Sequence, residues 1–150
     1  TATGKAMFSV FKGVHENVVV EGEDVMRLVT LRSHDQYNTT IYAMDDRYRG
    51  VFGRRDVLFM NEQDMAAQGL EHGDRVDIHT ALPGSALTLE DITVVAYGIA
   101  PGTVGAYYPE ANVLVPLNYL DEESGTPSYK SVPVRLTLRS KEIRPLAGGR

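Results

Sequence analysis

The chain has 150 residues, 43% of them hydrophobic, which is enough to bury the core of a single domain. It holds no cysteine, so disulfides, zinc–thiolate sites, iron–sulfur ligation and cysteine nucleophiles are excluded from these residues, and a reducing, cytoplasmic compartment is expected. The net charge of −5 argues against nucleic acid as a partner, and no apolar run is long enough to cross a membrane.

The elements read in chain order as many short strands with turn signals between them. Residues 7–11 suggest a first strand and residues 18–20 a short apolar one. Residues 26–32 alternate apolar and polar, as a half-buried strand does, and residues 57–60 form a continuous apolar run of buried type. A helix should follow at once. Asn61 is a good N-cap, Glu62 and Asp64 place negative charge in the first turn, and Gly69 suits the left-handed position that ends it. His72-Gly73-Asp74 is a turn, and residues 75–79 alternate as a strand. Pro83-Gly84-Ser85 is a second turn, with separate strands expected at 87–89 and 92–97. Residues 113–116 and 132–138 complete the set, and Pro133 points to a sheet edge or a strand start. Gly98, Gly102 and Gly105 read as turn glycines around Pro101, because their spacing fits neither a dinucleotide fingerprint nor a P-loop. The pattern predicts one mainly β domain, most simply a barrel. Its parts are a lead-in over residues 1–24 that packs on the barrel, the barrel itself over 25–140, and a flexible tail over 141–150.

Several chemical readings fail on geometry. Ser33, His34 and Asp35 are consecutive, and neighbours on an extended segment face opposite ways, so they cannot form a nucleophile relay. The four histidines lack metal-ligand spacing. The acidic run Asp121-Glu122-Glu123 lacks the alternation of a calcium loop. The Gly84-Ser85 step could mark a self-cleaving barrel, but Pro83 before it makes an ordinary turn the simpler reading. For Arg47, Arg49, Arg54 and Arg55 two readings stand: a solvated loop balanced by Asp45, Asp46 and Asp56, or an anion-facing patch.

The most informative stretch follows the strand at 26–32. Every side chain from Arg32 through Ser33, His34, Asp35, Gln36, Tyr37, Asn38 and Thr39 to Thr40 can hydrogen-bond. A guanidinium beside hydroxyls and amides suits phosphate and heteroaromatic edges. Ligand binding and a self-satisfied turn both account for it.

Four pieces carry a family resemblance over nearly the whole chain. They are Thr30-Leu31-Arg32-Ser33-His34-Asp35-Gln36-Tyr37-Asn38-Thr39 with its continuation to Gly50; Met60-Asn61-Glu62-Gln63-Asp64 with Leu70-Glu71-His72-Gly73-Asp74; Ala106-Tyr107-Tyr108-Pro109-Glu110-Ala111-Asn112; and Thr126-Pro127-Ser128-Tyr129-Lys130. Together they resemble the C-terminal molybdopterin-dinucleotide-binding domain of a formate-dehydrogenase-like alpha subunit. The resemblance implies a double-psi β-barrel with one or two short helices. It implies binding of the bis(molybdopterin guanine dinucleotide) cofactor, with the molybdenum or tungsten held by other domains of the subunit. It places cofactor contacts on Thr30, Arg32, Ser33, His34, Gln36, Tyr37, Asn38, Thr39, Asn112 and Lys130, with no catalytic or metal-ligating residue in this chain. The chain then reads as an excised domain, inactive alone, whose partners are the remaining domains. The alternatives are a separate subunit of a formylmethanofuran-dehydrogenase-like complex and a non-catalytic recognition barrel. A recognition barrel has no need of the polar loop together with Asn112 and Lys130.

Overall fold

The structure is a computed structural model that describes residues 2–8 and 22–141. Among the described residues, six strands and one α-helix follow in the order β1 (Met26–Leu31), β2 (Val57–Met60), α1 (Glu62–Ala67), β3 (Arg75–Thr80), β4 (Thr88–Ala96), β5 (Thr103–Tyr107) and β6 (Val132–Ser140). The strands close into a barrel in the spatial order β1-β5-β2-β4-β3-β6. Two neighbouring pairs are parallel, β1 with β5 and β2 with β4, and the other contacts are antiparallel. This is a double-psi β-barrel, as expected.

The side-chain alternation of β1 decides which residues enter the barrel. Met26, Leu28 and Thr30 point inward, and the residues between them are half-exposed. β2 is buried along its whole length because both of its faces are covered. One face joins the barrel interior, where Leu58 and Met60 meet Leu28, Val76, Ile78, Val94, Val104 and Val134. The other face carries Val57 and Phe59 into a second cluster with Val51, Val95 and Tyr107 beneath the long loop after β1. The ring of Phe59 meets Tyr107 edge-on, with centroids 5.4 Å apart. Helix α1 forms as its caps require. Asn61 accepts a hydrogen bond from the Gln63 amide, and Gly69 takes a φ of 66° after the last turn.

Four expectations are corrected. The strands expected at 87–89 and 92–97 are one strand, β4. Asp91 adopts a φ of 60° within it, and the register shifts opposite Val76 and Ile78, so a bulge absorbs the residue that breaks the alternation. Residues 110–114 form a 3₁₀ turn where a strand was expected at 113–116. Ala111 and Leu114, three apart, are buried, while Val113 faces outward. Gly105 is a strand residue of β5 and not a turn glycine: a Cβ there would lie 2.7 Å from the Leu31 Cδ1 of β1. Met7 and Phe8 carry no strand and are exposed; residues 9–21, with the rest of the first expected strand and all of the second, lie outside the described residues, as does the tail from 142. Pro133 is the second residue of β6. The barrel is closed there, and the Pro133 carbonyl accepts from the Ala81 amide at 2.8 Å. No helix among the described residues is long and apolar enough to cross a membrane.

Candidate cofactor-binding site

Parallel pairing of β1 with β5 sets Leu31 opposite Tyr107, so both strands deliver the segments that follow them to one rim of the barrel. The Leu31 carbonyl accepts from the Tyr108 amide at 3.0 Å, which carries the pairing one residue further. A third segment joins from the far end of the chain: the Tyr129 carbonyl accepts from the Thr30 amide at 3.3 Å, and Lys130 donates its ammonium to the Thr30 carbonyl.

Between these segments lies a cleft of about 370 Å³ lined by Thr30, Arg32, Tyr108, Asn112, Tyr129 and Lys130. Four residues expected at the cofactor, spread over a hundred positions of sequence, thus share one small volume. Thr30 is fully buried, and its Oγ1 has no hydrogen-bond partner. An orphaned buried hydroxyl costs about 1–3 kcal/mol, so it marks a place where a ligand atom would be welcome. Burial lowers the pKa of Lys130, and the positive charge of Arg32 lowers it further. Among the described residues, no carboxylate comes within ion-pair distance of either cation. Two unbalanced cations around a cleft favour an anion between them. Asn112 also borders an adjoining groove of about 600 Å³ between residues 82–87 and 112–119.

The other loop residues divide by direction. Ser33 is buried, and its amide and hydroxyl both donate to Gln36 Oε1, at 2.9 and 3.2 Å. Gln36 Nε2 donates to the Asn38 carbonyl at 2.8 Å and the Tyr108 carbonyl at 2.6 Å. These two side chains brace the loop from within. Asn38 faces out and accepts from Arg32 Nη2 at 2.8 Å. Its φ of 49°, with 62° at Asp35, lies in the left-handed region that Asn and Asp tolerate better than other residues. Tyr37 and Thr39 are exposed, and Tyr37 pairs backbone groups with Ile41. His34 is half-buried, packs edge-on against Tyr48 and shares a hydrogen bond with Arg47 at 2.8 Å. Ser33 bonds to Gln36 and Arg55 and not to His34, so the consecutive Ser-His-Asp forms no relay. Among the described residues, no three histidine, aspartate or glutamate side chains gather as a metal site.

The four clustered arginines turn out to have different roles. Arg47 is largely solvated; Arg49 pairs with Asp46 and Arg54 with Asp56, both at 2.5 Å. Arg55 is only 5% exposed and holds Ser33, Gln36, the Tyr108 carbonyl and Glu110 together. The sequence did not set it apart from the other three arginines, since every hydrogen-bond partner but Gln36 and Ser33 lies beyond residue 100; the one local signal was a charge placed two residues before a fully buried strand.

The profile of the "Molydopterin dinucleotide binding domain" family matches residues 26–133, spanning every strand but most of β6. The chain belongs to this family. Its cofactor is accordingly the molybdopterin guanine dinucleotide, and the cleft fits that group: an orphaned hydroxyl and two unpaired cations suit a phosphorylated, oxygen-rich ligand. The domain is also 48% identical over 141 residues to an uncharacterized oxidoreductase, Rv2900c, of Mycobacterium tuberculosis, and 42% identical over 139 residues to protein YdeP of Escherichia coli K12. Each match covers 91% of this chain and 18% of the relative, so the chain spans under a fifth of the length of these proteins. In fold it resembles part of acetylene hydratase from Pelobacter acetylenicus, with a TM-score of 0.55 and 15% identity over 76% of this chain and 18% of that one.

Proposed function

We propose that this domain is one part of a larger molybdenum or tungsten oxidoreductase, formate-dehydrogenase-like in its chemistry, and that its role is to grip the molybdopterin dinucleotide from one side. The observation that carries the reading is the cleft in which Thr30 Oγ1 has no partner while Arg32 and Lys130 face each other without a carboxylate. The oxidoreductase assignment draws support from the mycobacterial relative, itself an uncharacterized oxidoreductase, and the formate refinement from the order of the four motif pieces.

When bound, in its bis form, the cofactor supplies a metal centre that exchanges electrons with substrate, and the metal's ligands would come from other domains. The residues of this chain bind and orient. Arg32 can offer a planar fork to phosphate or to pterin oxygens, and Lys130 a point charge. Thr30 Oγ1 can donate or accept at the floor of the cleft, and Asn112 can offer both an amide donor and an acceptor at its wall. Ser33 and Gln36 would act indirectly, by holding the loop that presents Arg32. His34, Tyr37, Asn38 and Thr39 would form the outer rim toward the dinucleotide or the neighbouring domains.

The test is to purify the full-length protein from a host that makes the cofactor, release the bound dinucleotide and weigh it. Formate-dependent dye reduction is then measured on the same sample. Recovery of molybdopterin guanine dinucleotide with formate turnover supports the whole reading. Recovery without formate turnover removes only the formate refinement, and absence of any dinucleotide overturns the proposal.

A further inference from the structure

Two of the three walls of the cofactor cleft, the polar loop and the 3₁₀ turn, come from different parts of the chain, and little backbone bonding joins them. The polar loop follows β1, and the 3₁₀ turn that carries Asn112 follows β5. Beyond the bond from the Tyr108 amide to the Leu31 carbonyl, no backbone hydrogen bond among the described residues links residues 32–39 to residues 109–114. Hydrogen bonds between the walls pass instead through two side chains, Gln36 and Arg55.

Arg55 uses all three guanidinium nitrogens. Nη1 donates to Ser33 Oγ at 2.6 Å, and Nη2 to Gln36 Oε1 at 3.1 Å, on the loop side. On the opposite side Nη2 donates to the Tyr108 carbonyl at 2.9 Å, and Nε and Nη2 reach the two oxygens of Glu110 at 2.6 and 3.1 Å. Its Cζ lies over the rings of Tyr42 and Tyr107, at 4.2 and 4.8 Å from their centroids. A buried ion pair is weak support for stability, because desolvating two charges offsets their attraction. What a rigid fork with five donors does supply is a fixed geometry between the groups it binds.

We propose that Arg55, with Glu110 as its counter-ion, is the positioning residue that sets the separation and orientation of these two walls of the cofactor cleft. It does not line the cleft itself. It acts through Ser33 and Gln36 on the loop that presents Arg32, and through Tyr108 and Glu110 on the turn that presents Asn112. This rests on the cofactor reading of the cleft given above. A lysine at position 55 would keep the charge but could not span both walls with a planar fork.

The experiment uses the full-length protein loaded with cofactor, and follows the rate at which the dinucleotide is released after dilution. Arg55→Lys, Arg32→Ala, the double variant and Glu110→Gln are compared. Arg55→Lys is expected to release cofactor about tenfold faster, the effect typical of residues that orient ligand-holding groups. The double variant should lose less than the product of the two single effects, because Arg55 acts through the loop that carries Arg32. In the cofactor-free protein, hydrogen exchange should rise over residues 33–36 and 108–112 while β2 stays protected. A purely structural role would raise exchange in β2 as well. Should Arg55→Lys fail to fold, Glu110→Gln is read by the same criteria, since it keeps an acceptor for Arg55. Unchanged release, fully multiplicative effects, or faster release that tracks lost protection of β2 would each overturn the positioning role. If Arg32→Ala retains its cofactor like the unaltered protein, the cleft assignment itself has failed, and the role of Arg55 falls with it.

Discussion

Replacing Asp46 by alanine should destabilise the domain by about 3 kcal/mol, a figure that follows from what its carboxylate holds. Asp46 is 1% exposed, and its Oδ2 accepts from Arg49 Nη1 at 2.5 Å and from the Tyr107 hydroxyl at 2.8 Å. Removing the carboxylate leaves the buried Tyr107 hydroxyl unpaired, at about 1–3 kcal/mol. It also strands Arg49, for which a fully buried partner would add about 3–5 kcal/mol. Two facts reduce that second figure. The Arg49 side chain is 24% exposed and can turn toward water, and Asp46 Oδ1 is buried without a partner, so the native carboxylate already carries a penalty. For a domain of this size, about 3 kcal/mol corresponds to about 6–12 °C in Tm. Urea unfolding of the chain, followed by far-UV circular dichroism, measures it. Tyr107→Phe should cost about 1 kcal/mol, because Arg49 still satisfies Asp46, and the double variant should lose less than the sum. The pH dependence follows from the same contacts. Burial raises the Asp46 pKa, but the hydrogen bonds from Arg49 and Tyr107 and the charge of Arg49 outweigh it and hold the carboxyl below its ordinary 3.8. A depressed folded-state pKa means that the stabilisation is fully present above 3.8 and is lost as pH falls through the lower folded value. Asp46→Ala should therefore flatten part of the acid limb of stability. A loss under about 1 kcal/mol, or an unchanged acid limb, would refute the reasoning.

Three further outcomes follow. Gly105→Ala places a methyl 2.7 Å from Leu31 Cδ1, the movable end of a partly buried side chain, so the overpacking should cost about 1 kcal/mol, the low end for an added methyl, part of it recovered in a Leu31→Ala background; thermal melts of the three variants check this. Arg75→Ala removes a buried partner of Asp56 and Asp91, and Arg75 does not line the cleft, so the urea midpoint should fall while cofactor release from the folded full-length protein stays unchanged. The isolated chain should show no formate-dependent dye reduction even with free cofactor supplied, since it carries no cysteine and, among its described residues, no gathered metal ligands; turnover by the isolated chain would contradict the division of labour proposed above.

Local physics was legible where one residue decides the outcome. The alternation of β1, the Asn61 cap and the Gly69 stop all act within a few residues, and each appears where the pattern places it. β5 was missed because its centre is a glycine whose reason lies on another strand, the Leu31 side chain that fills its missing Cβ. The 3₁₀ turn was missed because Val113-Leu114-Val115 looks like a strand until Ala111 and Leu114 are seen to share a buried face. In β4 the interruption at Asp91 is a bulge, settled by the register against β3. The site shows the same limit. The density of polar side chains after β1 is visible in the sequence, but Asn112 and Lys130 join it only through the barrel closure, and they were reachable only by resemblance. Arg55 carried neither signal, since three of its five hydrogen bonds go to Tyr108 and Glu110 and the other two need the folded loop in place.

The central claim is that the cleft of Thr30, Arg32, Asn112 and Lys130 grips the dinucleotide, and cofactor release from the full-length protein tests it most directly. Arg32→Ala and Lys130→Ala each remove a charged hydrogen-bond donor, about 1.5–3 kcal/mol, or about one to two decades of affinity. Arg32 should lose more than Lys130, because a guanidinium can bind an anion through two parallel bonds. The account predicts both variants to shed cofactor about tenfold faster or more on dilution, with Arg75→Ala holding it like the unaltered protein. Equal retention by all three variants would contradict it.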